Sequence, residues 1–161
     1  TAYRIPRKRG LGGRIRERLD AMARLLRLDE ATRQRLAHAA ALHRAGELAL
    51  PVSLVNRCFL TLDAHERNRY AEYPVISSAF APPDDLDLAR LLASHRPDLF
   101  APMALRDDAR LLCMASVHEE LEHFGLSAER SAVIERLDMP DVQEVLEATL
   151  DLERGDTWSV S

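Results

Sequence analysis

Aromatic residues make up only 5% of the 161-residue chain, so its core must come mostly from Leu, Ala, Val and Ile. Cysteine is almost absent. Cys58 and Cys113 stand alone, with no C-x-x-C pair, and read as small, reduced, partly buried residues of a cytoplasmic protein. No apolar run approaches the roughly 18 to 20 residues of a membrane span. The opening TAYRIPRKRG has no hydrophobic signal core. The phosphate-binding patterns G-x-x-x-x-G-K-[ST] and G-x-G-x-x-G are missing, and so is the nucleophile pattern G-x-S-x-G. Lysine is reduced to a single residue, Lys8, against 21 arginines. Strand alternation, internal repeats and low-complexity tracts are likewise missing.

What is present suits one domain. The chain is 47% hydrophobic and 30% charged, enough for a core and a solvated surface. Its net charge of −4 is unevenly spread. Residues 1 to 18 carry seven basic side chains against Glu17 alone, or +6, leaving −10 for the remainder. The head, residues 1–13, reads as a basic linker or flexible arm. It lacks an initiator Met, as a segment downstream of another domain would. The acidic body argues against a nucleic-acid footprint.

Helical periodicity runs through most of the chain. Residues 14 to 28 place Ile15, Leu19, Met22, Leu25 and Leu26 on one stripe. Asp29 is a good N-cap for the next helix, which includes Leu36, Ala39, Ala40 and His43, and Gly46 offers it an end. Asp63 and Glu66 have capping-box spacing, and Pro74 predicts a break at Tyr73. Helices are expected over PPDDLDLARLLASH, over RDDARLLCMASVHEELEHFG up to Gly125, over SAERSAVIERL capped by Ser127, and from Pro140 to about Glu153. The expectation is an all-α bundle of about seven or eight helices over residues 14–155, with a frayed tail at 156–161.

Two stretches carry a resemblance: AALHRAGELALPVSLVNR and YPVISSA. With the order of the segments around them, they resemble the HD-GYP family, the bacterial branch of the HD phosphohydrolases that acts on cyclic di-GMP. The likeness spans roughly residues 12 to 150 and implies an HD-domain-like helical bundle. In that family, histidines and aspartates from several helices hold two or three metal ions. The metals acidify a bound water and neutralise the phosphodiester.

The resemblance also shows what has been replaced. His43 matches the histidine of H-D-x-G-K, but Arg44 takes the aspartate position and Glu47 the lysine position. Tyr73 takes the histidine position of H-P-x-x-G-A, with Ser77 or Ser78 at the glycine. The H-H-E segment is reduced to Ser94-His95-Arg96. A late aspartate position is Ser116, with Glu119 nearby. No histidine falls near residues 11 to 14, where the first helix would supply one. Only 13 residues separate His95 from Ala109, too few for the G-Y-P loop.

Arg44 matters most. An arginine keeps its charge in any protein environment. At about 4 Å and an effective dielectric of about 20, a unit-charge pair is worth about 4 kcal/mol, and a divalent ion doubles the repulsion. The expectation is that no catalytic metal cluster forms and no cofactor is needed. Pairing of Arg44 with Glu47 and with acids of VHEELE, filling the former cavity, is expected.

The other histidines offer little. His38 and His43 are five apart, as are His118 and His123, a spacing that does not bring helical ligands together. His43 reads as a hydrogen-bonded, half-buried residue and His65 as exposed. Arg14 and Arg18 form an R-x-x-x-R that, with Arg44, could contact an anion or a partner. The expected function is a catalytically inactive, cytoplasmic output domain of a bacterial signalling protein. It would work through a protein partner, itself included as a homodimer, behind an upstream receiver or sensor. The alternatives are an HDOD-type regulatory domain, a metal-free cyclic di-GMP sensor, and a remodelled metal-dependent phosphohydrolase using His43, His95 and acids near 119 to 122.

Overall fold

A computed structural model describes the backbone of residues 6–94 and 107–160 and the side chains of 7–94 and 107–155. Among these residues the protein is an all-α bundle without strands. In chain order the helices are α1 (Leu11–Leu25), α2 (Glu30–Leu42), α3 (Val52–Val55), α4 (Ala64–Tyr70), α5 (Tyr73–Ser78), α6 (Leu86–Ser94), α7 (Asp107–His123), α8 (Arg130–Leu137) and α9 (Pro140–Val160). α3 is a single turn of four residues; the other eight are longer. His95, Pro97, Pro102 and the shortened loop they mark lie outside the described residues.

Local chemistry sets most boundaries. The Asp29 carboxylate accepts from the Thr32 amide and starts α2. Asp63 and Glu66 close a full capping box on α4. Pro74 sits in the first turn of α5, and the break it enforces falls between Tyr70 and Tyr73. Gly125, at φ 70°, takes the left-handed turn after α7.

Other boundaries differ from the sequence expectation. α2 stops at Leu42, four residues before Gly46, and a 3-10 turn covers Ala45–Ala49. Gly46 serves another purpose. A Cβ there would lie 2.1 Å from the Tyr73 carbonyl oxygen and 2.8 Å from the Ser77 nitrogen, so glycine is what lets this turn lie against α5. Ser127 opens a 3-10 turn and does not cap α8, whose N-cap is Glu129. α9 continues to Val160, through most of the tail expected to fray.

The head requires the largest correction. It is not a free arm through residue 13. Pro6–Lys8 forms a 3-10 turn, α1 begins at Leu11, and Leu11 and Lys8 are both buried.

α7 is the central element. Every residue from Leu111 to Leu121 is buried, polar ones included, because neighbours surround it on all sides. It packs against α1, α2, α6, α8 and α9. One apolar cluster joins α1, α2, α6, α7 and α9 through Leu19, Met22, Leu36, Leu91, Leu112 and Leu146. A second, at the other end of α7, gathers Leu54, Phe59, Leu62, Tyr70, Tyr73 and Leu121. Each fully buried leucine contributes about 1.5 to 3 kcal/mol relative to exposure. The polar residues of α7 must find partners inside this shell.

Candidate functional site

The partners of Glu120 and Ser116 come from three separate parts of the chain. Arg44 lies just past the end of α2 and is 8% exposed. Its Nη1 donates to Glu47 Oε1 at 3.0 Å, to Glu120 Oε1 at 2.8 Å and, at 3.4 Å, to the Tyr70 hydroxyl. Its Nη2 donates to Ser116 Oγ at 2.9 Å. Lys8, from the head, donates to Glu47 Oε2 at 2.9 Å and to the Tyr70 hydroxyl at 3.0 Å, and lies 3.6 Å from Glu120 Oε1. Its ammonium also sits 5.0 Å from the centre of the Tyr70 ring. Glu120 Oε2 accepts from the Phe59 amide at 3.1 Å and from the Cys58 thiol at 3.6 Å.

Two cations and two carboxylates thus form a closed, charge-balanced network. Glu47 and Glu120 are each 1% exposed, too deep for an unpaired charge. Burial alone would raise the Glu120 pKa. Arg44, Lys8 and the Phe59 amide outweigh it and hold the carboxyl at about 2. Burial and the Glu120 charge push the Cys58 thiol up to about 12. Burial likewise raises the Tyr70 and Tyr73 phenols well above their ordinary value, against the opposing pull of Arg44. Glu120 is therefore a carboxylate, and the Tyr70 and Tyr73 hydroxyls and the Cys58 thiol are neutral, at any physiological pH.

The residues singled out in the sequence have different fates. Arg44 and Ser116 meet directly. Tyr73 is fully buried, with its ring 4.9 Å from that of Tyr70. His43 is also fully buried, not half-buried as expected; its Nδ1–H donates to the Ala40 carbonyl at 2.9 Å. His38 and His65 are exposed. Ser77 accepts from the Gly46 amide at 2.8 Å and donates to the His43 carbonyl at 2.7 Å, locking the 45–49 turn to α5.

Arg14, Arg18 and Arg44 do not converge on one anion pocket. Arg14 donates to His123. Arg18 bonds Glu119 at 3.1 Å, Thr149 at 3.1 Å and Glu153 at 3.0 Å. Glu119 and Glu120 are adjacent on α7, about 100° apart around the helix, so they serve different arginines. The Arg18 cluster borders a cavity of 520 Å³ shared with His118, Arg130 and Glu147. There His118 Nδ1 accepts from Arg130 at 2.8 Å, and burial with Arg130 and Arg18 holds its pKa at about 4.

The residues of the central network do not fit a divalent metal cluster. Both its carboxylates already bind fixed cations, and no group of three or more His, Cys, Asp or Glu able to hold an ion occurs among the described residues. Sequence reasoning missed Lys8, Tyr70 and Cys58. Lys8 finds its partners 39 and 62 residues away, a pairing that no local pattern marks.

No family model matches the chain, and neither a curated protein nor a solved structure matches it. No helix among the described residues is long and apolar enough to cross a membrane.

Proposed function

We propose that this chain is a catalytically inactive HD-GYP-like regulatory domain that works by contact with a protein partner, a second copy of itself included. One observation carries the reading. Where the resemblance puts an aspartate and a lysine, this chain has Arg44 and Glu47, and the two are bonded to each other at 3.0 Å in a buried, self-neutralised network. A guanidinium in that place repels divalent ions and supplies neither a metal ligand nor a base. The residues that could donate to a metal are instead consumed in holding α7, the 45–49 turn and the head together.

Support for partner contact comes from the surface. Leu48 on the 45–49 turn, Val52 on α3 and Val75 on α5 are 59%, 67% and 64% exposed. The turn that carries Leu48 packs against α5, which carries Val75.

The test is enzymatic and physical together. With manganese or ferrous iron added, neither bis(p-nitrophenyl) phosphate nor cyclic di-GMP should be hydrolysed above the buffer rate. Calorimetry with cyclic di-GMP should give no heat of binding. Metal-dependent turnover that disappears in Glu120→Gln overturns the reading.

A further inference from the structure

We infer that the segment Pro6–Gly10 is a latch: it inserts Lys8 between Glu47 and Glu120, and its withdrawal loosens the 45–49 turn that presents Leu48. Two hydrogen bonds fasten the segment's backbone to the bundle. The Arg7 amide donates to Asn56 Oδ1 at 3.2 Å. The Arg7 carbonyl accepts from His123 Nε2 at 2.6 Å. His123 Nδ1 in turn accepts from Arg14 at the start of α1, which fixes the ring in its Nε2–H tautomer. Between these clamps the Lys8 side chain runs inward and is only 4% exposed.

The chemistry of the inner end makes this more than packing. Glu47 belongs to the 45–49 turn and Glu120 to α7, so the Lys8 ammonium ties the turn to the central helix. Arg44 alone cannot balance both carboxylates. With Lys8 removed, one net negative charge stays behind among groups 1% exposed, and the turn is the element free to move that charge toward water. The turn is held otherwise by the Arg44 guanidinium on Glu47 at 3.0 Å, by Ser77 and the packing of α5, and by its own 3-10 bonds, Glu47 to Arg44 at 3.0 Å and Leu50 to Glu47 at 3.1 Å. Gly10, at φ 81°, provides a left-handed joint between the segment and α1, where the chain can swing without unwinding the helix. A pull or twist entering at residue 6 would thus reach Leu48 through Lys8 and Glu47. The latch rests on the proposed regulatory role only for the origin of that pull.

Hydrogen exchange on the whole chain tests it. Lys8→Met keeps the apolar stem and removes the ammonium. The amides of Gly46, Glu47 and Leu50 should then exchange about ten- to a hundredfold faster, the size carried by hydrogen bonds to charged groups. The amides of Met22 and Ala39, inside α1 and α2, should be unchanged. Equal acceleration everywhere, or none at the turn, overturns the latch.

His123→Ala provides a second readout that leaves Lys8 in place. Lys8 is the only lysine, so acylation by an amine-reactive ester, located by mass spectrometry, reports its release directly. Labelling of Lys8 should be about tenfold faster in His123→Ala than in the unaltered chain, as expected for one lost hydrogen bond. An unchanged rate overturns the latch. Neither readout depends on metal binding or turnover, so the latch and the loss of catalysis can fail separately.

Discussion

Replacing Arg44 by Met removes one guanidinium and leaves a stem of similar length. Glu47 and Glu120 then share Lys8, with one uncompensated charge where each carboxylate is 1% exposed. Removing one partner of a buried pair costs about 3 to 5 kcal/mol. A domain of this size has roughly 5 to 15 kcal/mol in total, so the variant should still fold at 25 °C but unfold at much lower urea. The companion is Arg44→Met with Glu120→Gln. That pair restores neutrality, and the glutamine oxygen can still accept from the Phe59 amide. Urea unfolding of the parent, both single variants and the double variant at pH 7 gives the coupling. It should be at least about 2 kcal/mol, with the double variant more stable than Arg44→Met alone. A loss below about 1 kcal/mol for Arg44→Met, the size of a surface ion pair, refutes the buried-network argument. So does simple additivity of the two substitutions.

Four further outcomes follow from the structure. Glu120 titrates at about 2 when folded against 4.5 when unfolded, so its stabilising contribution of about 3 kcal/mol is present above pH 4.5 and fades as pH falls toward 2. Glu120→Gln should flatten urea midpoints in that window relative to the parent, and an unchanged slope counts against the pairing. His118, at about 4 folded against 6.5 unfolded, stabilises above pH 6.5 and loses this as pH falls to 4; His118→Gln should flatten that upper window instead. Gly46→Ala forces a Cβ to 2.1 Å from the Tyr73 carbonyl and should cost about 3 kcal/mol by thermal melting, whereas Gly12→Ala, with no atom within 4 Å, should be tolerated. Cys58, 2% exposed with its thiol near 12, should stay unreactive to a disulfide reagent at pH 8 until the chain unfolds.

Helices were legible where caps and periodicity agreed. Asp29, the Asp63–Glu66 box, Pro74 and Gly125 act locally, within a turn, and local chemistry is what a sequence displays directly. The Arg44–Glu47 pair was legible for the same reason, being three residues apart, and the motif order pointed to VHEELE for its distant partner. Long-range pairing was hidden. Lys8 meets Glu47 across 39 residues and Tyr70 across 62, and nothing in a basic, glycine-flanked head marks one cation of several as the buried one. Gly46 misled because a glycine that ends a helix and one that admits a neighbouring backbone read alike; only the approach of α5 separates them.

The most direct measurement is metal content. Chain purified without chelator, incubated with manganese, ferrous iron or zinc and then desalted, goes to elemental mass spectrometry beside Arg44→Asp. The unaltered chain should retain far less than one ion per molecule, because Arg44 and Lys8 already occupy both carboxylates. One or two ions retained per chain, and lost on Glu120→Gln, would contradict it.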